Sequence, residues 1–183
     1  MTYYGSQELA ASFRQVRSNT IKIAEDIPEE KYDFRPAADC RSVAQTLVHI
    51  AYNPGVQRYL QENRITDLHA VNFMEIIQPL AAEEQKPRTK AEIIALLTSK
   101  GDAFASYLEN LTEAFLAEQV KMPAGGQPAT KSRFEMLLSP KEHEMHHRAQ
   151  LMVMQRMLGL TPHITRQMQE RMTQRTAAAQ AAR

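Results

Sequence analysis

The residues best placed to do chemistry are histidines. Six are present, and three of them fall within the five-residue segment His143-Glu144-Met145-His146-His147. His143 and His147 are four apart, so on a helix they share one face with Cβ atoms ~5–6 Å apart. Two neutral imidazoles so placed can both direct a nitrogen at one divalent ion at ~2.0–2.1 Å. His146 is turned about 100° from His147 and faces elsewhere; the pair His143 with His146 is geometrically open too, but leaves His147 unused. The same five letters read H-E-x-x-H, which would make Glu144 the general base of a zinc hydrolase, although so short a pattern recurs by chance in helices. The neighbours place the pair at the edge of a buried face: positions 143, 147, 150 and 154 flank a stripe of Leu138, Met145, Ala149 and Met152. A third ligand is needed. His49, beside the apolar positions Leu47 and Ile50, is either that ligand or a satisfied core histidine. No Asp or Glu lies plainly on an inward face, which favours His49.

The segments that must carry these side chains are helical. A stripe of Leu9, Phe13, Val16, Thr20 with Ile21, Ile23 and Ile27 predicts a first helix from about Ser6 to Ile27. Pro28 ends it, and Pro28 to Cys40 reads as a connecting loop. Ser42 is the expected N-cap of a second helix, whose face is Val43, Leu47 and Ile50. Asn53-Pro54-Gly55 should break or kink it, with a brief resumption at Tyr59 and Leu60. Residues 64–89 are irregular apart from a short helix near Phe73 to Leu80. Thr89 with Glu92 forms a capping box for a third long helix, expected from Lys90 to Gln119. Pro123 to Pro128 is a loop, and a fourth helix is expected from Lys131 to Leu158. There Ser139-Pro140 either kinks a continuous helix or starts a new one. Gly159 stops it, and Thr161-Pro162 opens a last helix running into an alanine-rich, locally basic end.

Composition agrees with an all-α fold. The chain has 183 residues, 43% hydrophobic and 23% charged, with 6 glycines, enough for one domain with a substantial core. A net charge of +1 gives no electrostatic case for nucleic acid or an anionic membrane. No apolar run is long enough to span a bilayer. The single cysteine, Cys40, cannot form an intrachain disulfide; with no signal peptide evident it points to a reducing, cytoplasmic setting. Cys40 itself reads as a small buried hydrophobe before it reads as a reactive thiol.

Two segments together resemble the DinB/YfiT-like family. Arg41-Ser42-Val43-Ala44-Gln45-Thr46-Leu47-Val48-His49-Ile50-Ala51 is similar to that family's helix-two histidine motif, and His143-Glu144-Met145-His146-His147-Arg148-Ala149-Gln150-Leu151 to its HxxHHRGQ-type signature. Ala149 stands where glycine is frequent, and Pro140 precedes the motif; neither removes a ligand. The resemblance runs from about Ser6 to Leu160. It implies a four-helix bundle with an unusual connection, often dimeric; the short extra C-terminal helix is read from the sequence alone, because the tail beyond Thr165 lies outside the resemblance. Residues 1–165 are then the bundle and 166–183 an exposed helix or tail. It implies a divalent metal, Zn²⁺ or Ni²⁺ best suiting nitrogen ligands, held by His49, His143 and His147, with His146 and Glu144 outside the site. Asn53 and Gln150, each near a ligand, are candidates to line a pocket, or ordinary polar helix residues.

Three neutral ligands leave coordination positions open, the pattern of a catalytic site. The expected partner is therefore a small molecule, such as a thiol transferred by a metal-dependent enzyme to an electrophile. The alternatives are metal-assisted hydrolysis and a non-catalytic, stress-associated metal-binding bundle.

Overall fold

The computed structural model describes residues 4–181. Among these, eight α-helices and one small hairpin follow in the order α1 (Ser6–Asp26), α2 (Val43–Tyr52), α3 (Pro54–Glu62), α4 (Phe73–Glu83), α5 (Lys90–Glu109), α6 (Glu113–Ala117), β1 (Gln119–Lys121), β2 (Thr130–Ser132), α7 (Arg133–Met157) and α8 (His163–Ala181), with single 3-10 turns at Glu29–Lys31 and Leu68–Ala70. Helices α1, α2, α5 and α7 form the bundle. α1 packs on α5 and α7, and α2 packs on the same two from the other side, so sequence neighbours α1 and α2 sit diagonally. No described helix is long and apolar enough to cross a membrane.

Local chemistry sets the boundaries. Ser42 caps α2 and Thr89 caps α5, each accepting from the third residue of its helix in a full capping box. α2 and α3 meet at Asn53, where Pro54 occupies the first turn of α3, a position in which its missing N–H costs nothing. Gly159 has φ 78° and ends α7 as expected, in a conformation that disfavours a side chain.

Two expectations are corrected, and one open alternative is decided. The third long helix stops at Glu109, because Thr112 accepts from Phe115 N and starts the separate turn α6. Gln119 then belongs to β1, which pairs antiparallel with β2 with Val120 opposite Lys131. Lys131 is therefore a strand residue; Ser132, with Glu135 completing the box, is the cap of α7. Pro140 lies inside a continuous α7, so Ser139 starts no new helix.

The inward face of α7 also differs from the predicted stripe. Met145 is 43% exposed and Ala149 is exposed, whereas Glu144, His147, Leu151 and Met154 are buried. Aliphatic character misled: Met145 stands next to a glutamate that has a buried partner. That partner is Arg17 of α1, 3% exposed. Its Nη2 donates to Glu144 Oε2 at 2.9 Å and to Ile50 O at 3.2 Å, and its Nη1 donates to Leu97 O at 2.8 Å. One guanidinium thus ties all four bundle helices together. The brace lies between an apolar cluster around Ile23, Leu47, Leu97 and Leu151 and another around Leu9, Phe13, Phe104 and Leu137. Gly101 of α5 is the contact that admits it, since a Cβ there would stand 2.8 Å from Arg17 Cγ.

Candidate metal centre

His49 comes from α2, one turn before that helix ends, and His143 and His147 come from consecutive turns of α7. The packing of α2 on α7 brings the three rings together. Their centroids are 4.4–4.8 Å apart. His143 Nε2 lies 3.1 Å from His49 Nε2 and 3.2 Å from His147 Nε2. One nitrogen from each of the three lies within 4.8 Å of the other two.

The far side of each ring decides what those nitrogens carry. His49 Nδ1 is 2.7 Å from Glu84 Oε1, and a carboxylate oxygen requires a proton on that nitrogen. His147 Nδ1 is 2.8 Å from Gln150 Oε1, whose amide nitrogen in turn reaches His146 Nε2 at 3.1 Å. With Nδ1 protonated in both rings, the Nε2 atoms of His49 and His147 present lone pairs toward His143. His143 Nδ1 is buried and has no hydrogen-bond partner. At most one proton can then lie among three converging nitrogens, so the centre is rich in lone pairs and poor in donors. Its donor set fits a divalent ion, and the two short N···N edges approach the ~3.3 Å expected of tetrahedral ligands at zinc–nitrogen distances.

Electrostatics keep the rings neutral. Burial and the neighbouring imidazoles push His143 down to about 3. Burial also lowers His49, against the opposing pull of Glu84. It lowers His147 too, against the Gln150 hydrogen bond. Neutral imidazole is the form that ligates a metal.

Glu84 is the residue sequence reading missed. It follows α4 in the segment judged irregular, is 9% exposed, and also accepts from Arg41 Nε at 2.6 Å. Only the long connection from α3 to α5 brings it beside His49, and no periodicity announces that. Asn53 Nδ2 approaches His143 Nε2 at 3.4 Å. Gln150 and His147 line a cavity of about 900 Å³, and Asn53, His49 and His143 line a second of about 420 Å³.

The remaining candidates lie elsewhere. Glu144 points away from the three imidazoles into the Arg17 brace, so the zincin-like arrangement is not formed. His146 is exposed. His69 is exposed and pairs with Asp67, and His163 is buried against Asn19 at 3.3 Å. Cys40 is partly exposed on the rim of the larger cavity, not buried as a core hydrophobe.

A four-helix bundle with three histidines converging from α2 and α7 defines a class of helical proteins that could hold one divalent ion. The DinB family model matches residues 1–178, and the chain belongs to that family. An uncharacterized protein of Bacillus subtilis, YjoA, is 24% identical over 156 residues, covering 85% of this chain and 92% of its own. Its crystal structure superposes with a TM-score of 0.61 at 20% identity, covering 84% of this chain and 94% of that one. YfiT of Bacillus subtilis, described as a probable metal-dependent hydrolase with an unusual four-helix bundle topology, gives a TM-score of 0.66 at 15% identity, covering 88% and 91%. A mycothiol-dependent maleylpyruvate isomerase gives 0.60 at 14% identity, with 82% of this chain matching 63% of that longer one. These likenesses establish the shared bundle.

Proposed function

We propose that this protein is a metal-dependent enzyme in which His49, His143 and His147 hold one Zn²⁺ or Ni²⁺ ion and a low-molecular-weight thiol is transferred to an electrophile. The observation that carries the reading is the convergence of three Nε2 atoms, donor-poor and neutral, beside open cavities. A structural site would be closed by a fourth His, Cys, Asp or Glu, and among the described residues the group that could hold an ion contains only these three. When bound, the ion supplies Lewis acidity that lowers the pKa of a thiol or a water at neutral pH.

The residues of the chain do the rest. Glu84 and Gln150 fix the Nδ1–H tautomers and the ring planes of His49 and His147, as second partners of ligating histidines do. Arg35, Arg41, Asp39 and Gln45 line the larger cavity with donors and acceptors suited to a hydrophilic thiol carrying charges of both signs. The name of the mycothiol-dependent structural neighbour supports a thiol. A homodimer and a reducing, cytoplasmic location belong to the same reading.

Hydrolysis of a small substrate is the second reading. It uses the same ligands with water as nucleophile, and the description of YfiT favours it. A panel of small thiols with a generic electrophile, and a parallel ester and amide panel, each with and without metal, separates the two. Metal-dependent consumption of thiol supports transfer, and metal-dependent hydrolysis without thiol overturns it. Silence in both panels leaves a non-catalytic metal-binding bundle.

A further inference from the structure

The histidine cluster is reached from two sides, and the Arg41–Glu84 ion pair stands between them. Both cavities are lined by Arg41, Ala81 and Glu84. The larger touches the cluster at His147 and carries the charged and amide groups of Arg35, Asp39, Gln45 and Gln150 on walls shared with Val153 and Met154. The smaller, about 420 Å³, touches it at His49 and His143 and is walled by Tyr52, Val56, Phe73, Ile77 and Leu80. Three of those apolar residues sit on one helix: Phe73, Ile77 and Leu80 of α4 recur at four-and-three spacing. Glu84 continues the same face one turn on, so one face of α4 and its C-cap supplies both an apolar wall and the carboxylate that orients His49.

A cavity of this size with apolar walls and a few polar groups is the usual form of a small-ligand site. A cationic ligand would lose hydration against Val56, Phe73 and Leu80 without finding a counter-charge, because Arg41 already neutralises Glu84 and the bound ion would repel it; an anionic group would find a counter-charge only at the ion itself and none along those apolar walls. An uncharged aromatic or alkyl group loses nothing comparable and releases water from apolar surface.

We propose that the smaller cavity is the subsite for an uncharged, apolar electrophile, kept by the Arg41–Glu84 pair apart from a hydrophilic co-substrate in the larger cavity. The assignment of the reaction rests on the thiol-transfer reading above; the binding claim does not. For an aryl chloride the step is a substitution. The thiol sulfur forms a bond to carbon, the carbon–chlorine bond breaks, chloride leaves with the bonding pair, and the thiol proton passes to solvent. No oxidant or reductant is required.

Ile77 and Val153 allow the two cavities to be blocked separately. Each lines one cavity only, and they are 41% and 56% exposed, so neither substitution by tryptophan requires a new core. Binding of benzyl alcohol to zinc-loaded protein, followed by ligand-observed NMR, should weaken at least tenfold in Ile77→Trp and stay within twofold in Val153→Trp. Circular dichroism and zinc content identify any variant that has misfolded, and Ile77→Asp, which places a charge in the same wall, then replaces it with the same expectation. With cysteine and 1-chloro-2,4-dinitrobenzene, Ile77→Trp should raise KM for the aryl chloride at least tenfold and leave that for the thiol within twofold. Selective loss of benzyl alcohol binding without any thiol turnover supports the subsite and removes the thiol reading. Benzyl alcohol binding indifferent to both Ile77 variants, or an Ile77 effect on KM for the thiol instead, overturns the subsite and leaves thiol transfer standing.

Discussion

Replacing Glu84 tests whether the histidine cluster is an organised metal centre. In Glu84→Ala the proton on His49 Nδ1 loses its acceptor at 2.7 Å and Arg41 loses its partner at 2.6 Å. His49 can then turn about χ2 and adopt the other tautomer, which aims a proton into the cluster in place of a lone pair. Loss of such a second partner typically weakens metal binding ~10–100-fold, or ~1.4–2.7 kcal/mol. The Glu84 side chain is only 8% exposed but that of His49 is 20% exposed, so water can take over part of the acceptor role. The lower half of the range is therefore expected for Ala. A fall of only a few-fold is expected for Gln, whose amide oxygen can still accept. The assay is competition for Zn²⁺ against a chromophoric chelator at pH 7.5, with the far-ultraviolet spectrum confirming an intact bundle. Zinc affinity in Glu84→Ala within twofold of the parent protein would refute the tautomer argument, and with it the claim that α4 belongs to the site.

Other outcomes follow from the same geometry. His49→Ala, His143→Ala and His147→Ala should each leave two ligands and lose retained zinc on dialysis, as metal analysis will read; retention by all three places the ion elsewhere. The metal-free protein should lose stability in acid. Its three site histidines have folded pKa values below the ordinary 6.5, His143 reaching about 3, so the unfolded chain binds the extra protons. Stability then falls as pH drops below 6.5, by up to ~1.4 kcal/mol per pH unit for each such group until its own folded pKa is reached, which for His143 is about 3. Urea midpoints at pH 7.5 and 5.5 measure it, and equal midpoints contradict it. Gly101→Ala should destabilise by ~1–3 kcal/mol through overpacking against Arg17, seen as a lower urea midpoint at unchanged slope.

How far the sequence disclosed the site depends on which residues are local to each other. His143 and His147 were legible because four-residue spacing on a helix is a local rule, and Ser42, Thr89 and Gly159 were legible because caps are local too. The extent of α5 was misjudged because Leu111 and Phe115 continue an apolar stripe across Asn110, and only the capping geometry of Thr112 shows the break. The strands β1 and β2 are three residues each, too short for alternation to register. Glu84 escaped because its partner is 35 residues away across an irregular segment. Met145 was placed inside because a methionine beside a glutamate looks the better core residue, until Arg17 supplies the buried counter-charge.

The adjacent residues His143 and Glu144 serve different faces of one helix, about 100° apart, and this separates two accounts of the H-E-x-x-H letters. As a general base, Glu144 would contribute ~10²–10⁴ to rate, and Glu144→Gln would abolish turnover while sparing stability. In this bundle it is 1% exposed and held by Arg17 through bonds of 2.9–3.1 Å. Glu144→Gln therefore leaves a buried guanidinium without its counter-charge, an imbalance that costs ~3–5 kcal/mol when one partner of such a pair is removed. The retained amide oxygen, which can still accept one bond, places Gln at the lower end. The expected variant unfolds at clearly lower urea, yet below its transition binds zinc with the parent stoichiometry and turns over within about twofold of the parent rate. The reverse result, parental stability with a hundredfold loss of rate, would mean that Glu144 leaves Arg17 to meet the substrate. The brace would then be a resting arrangement, and α7 would have to rotate by a quarter-turn to make the site active.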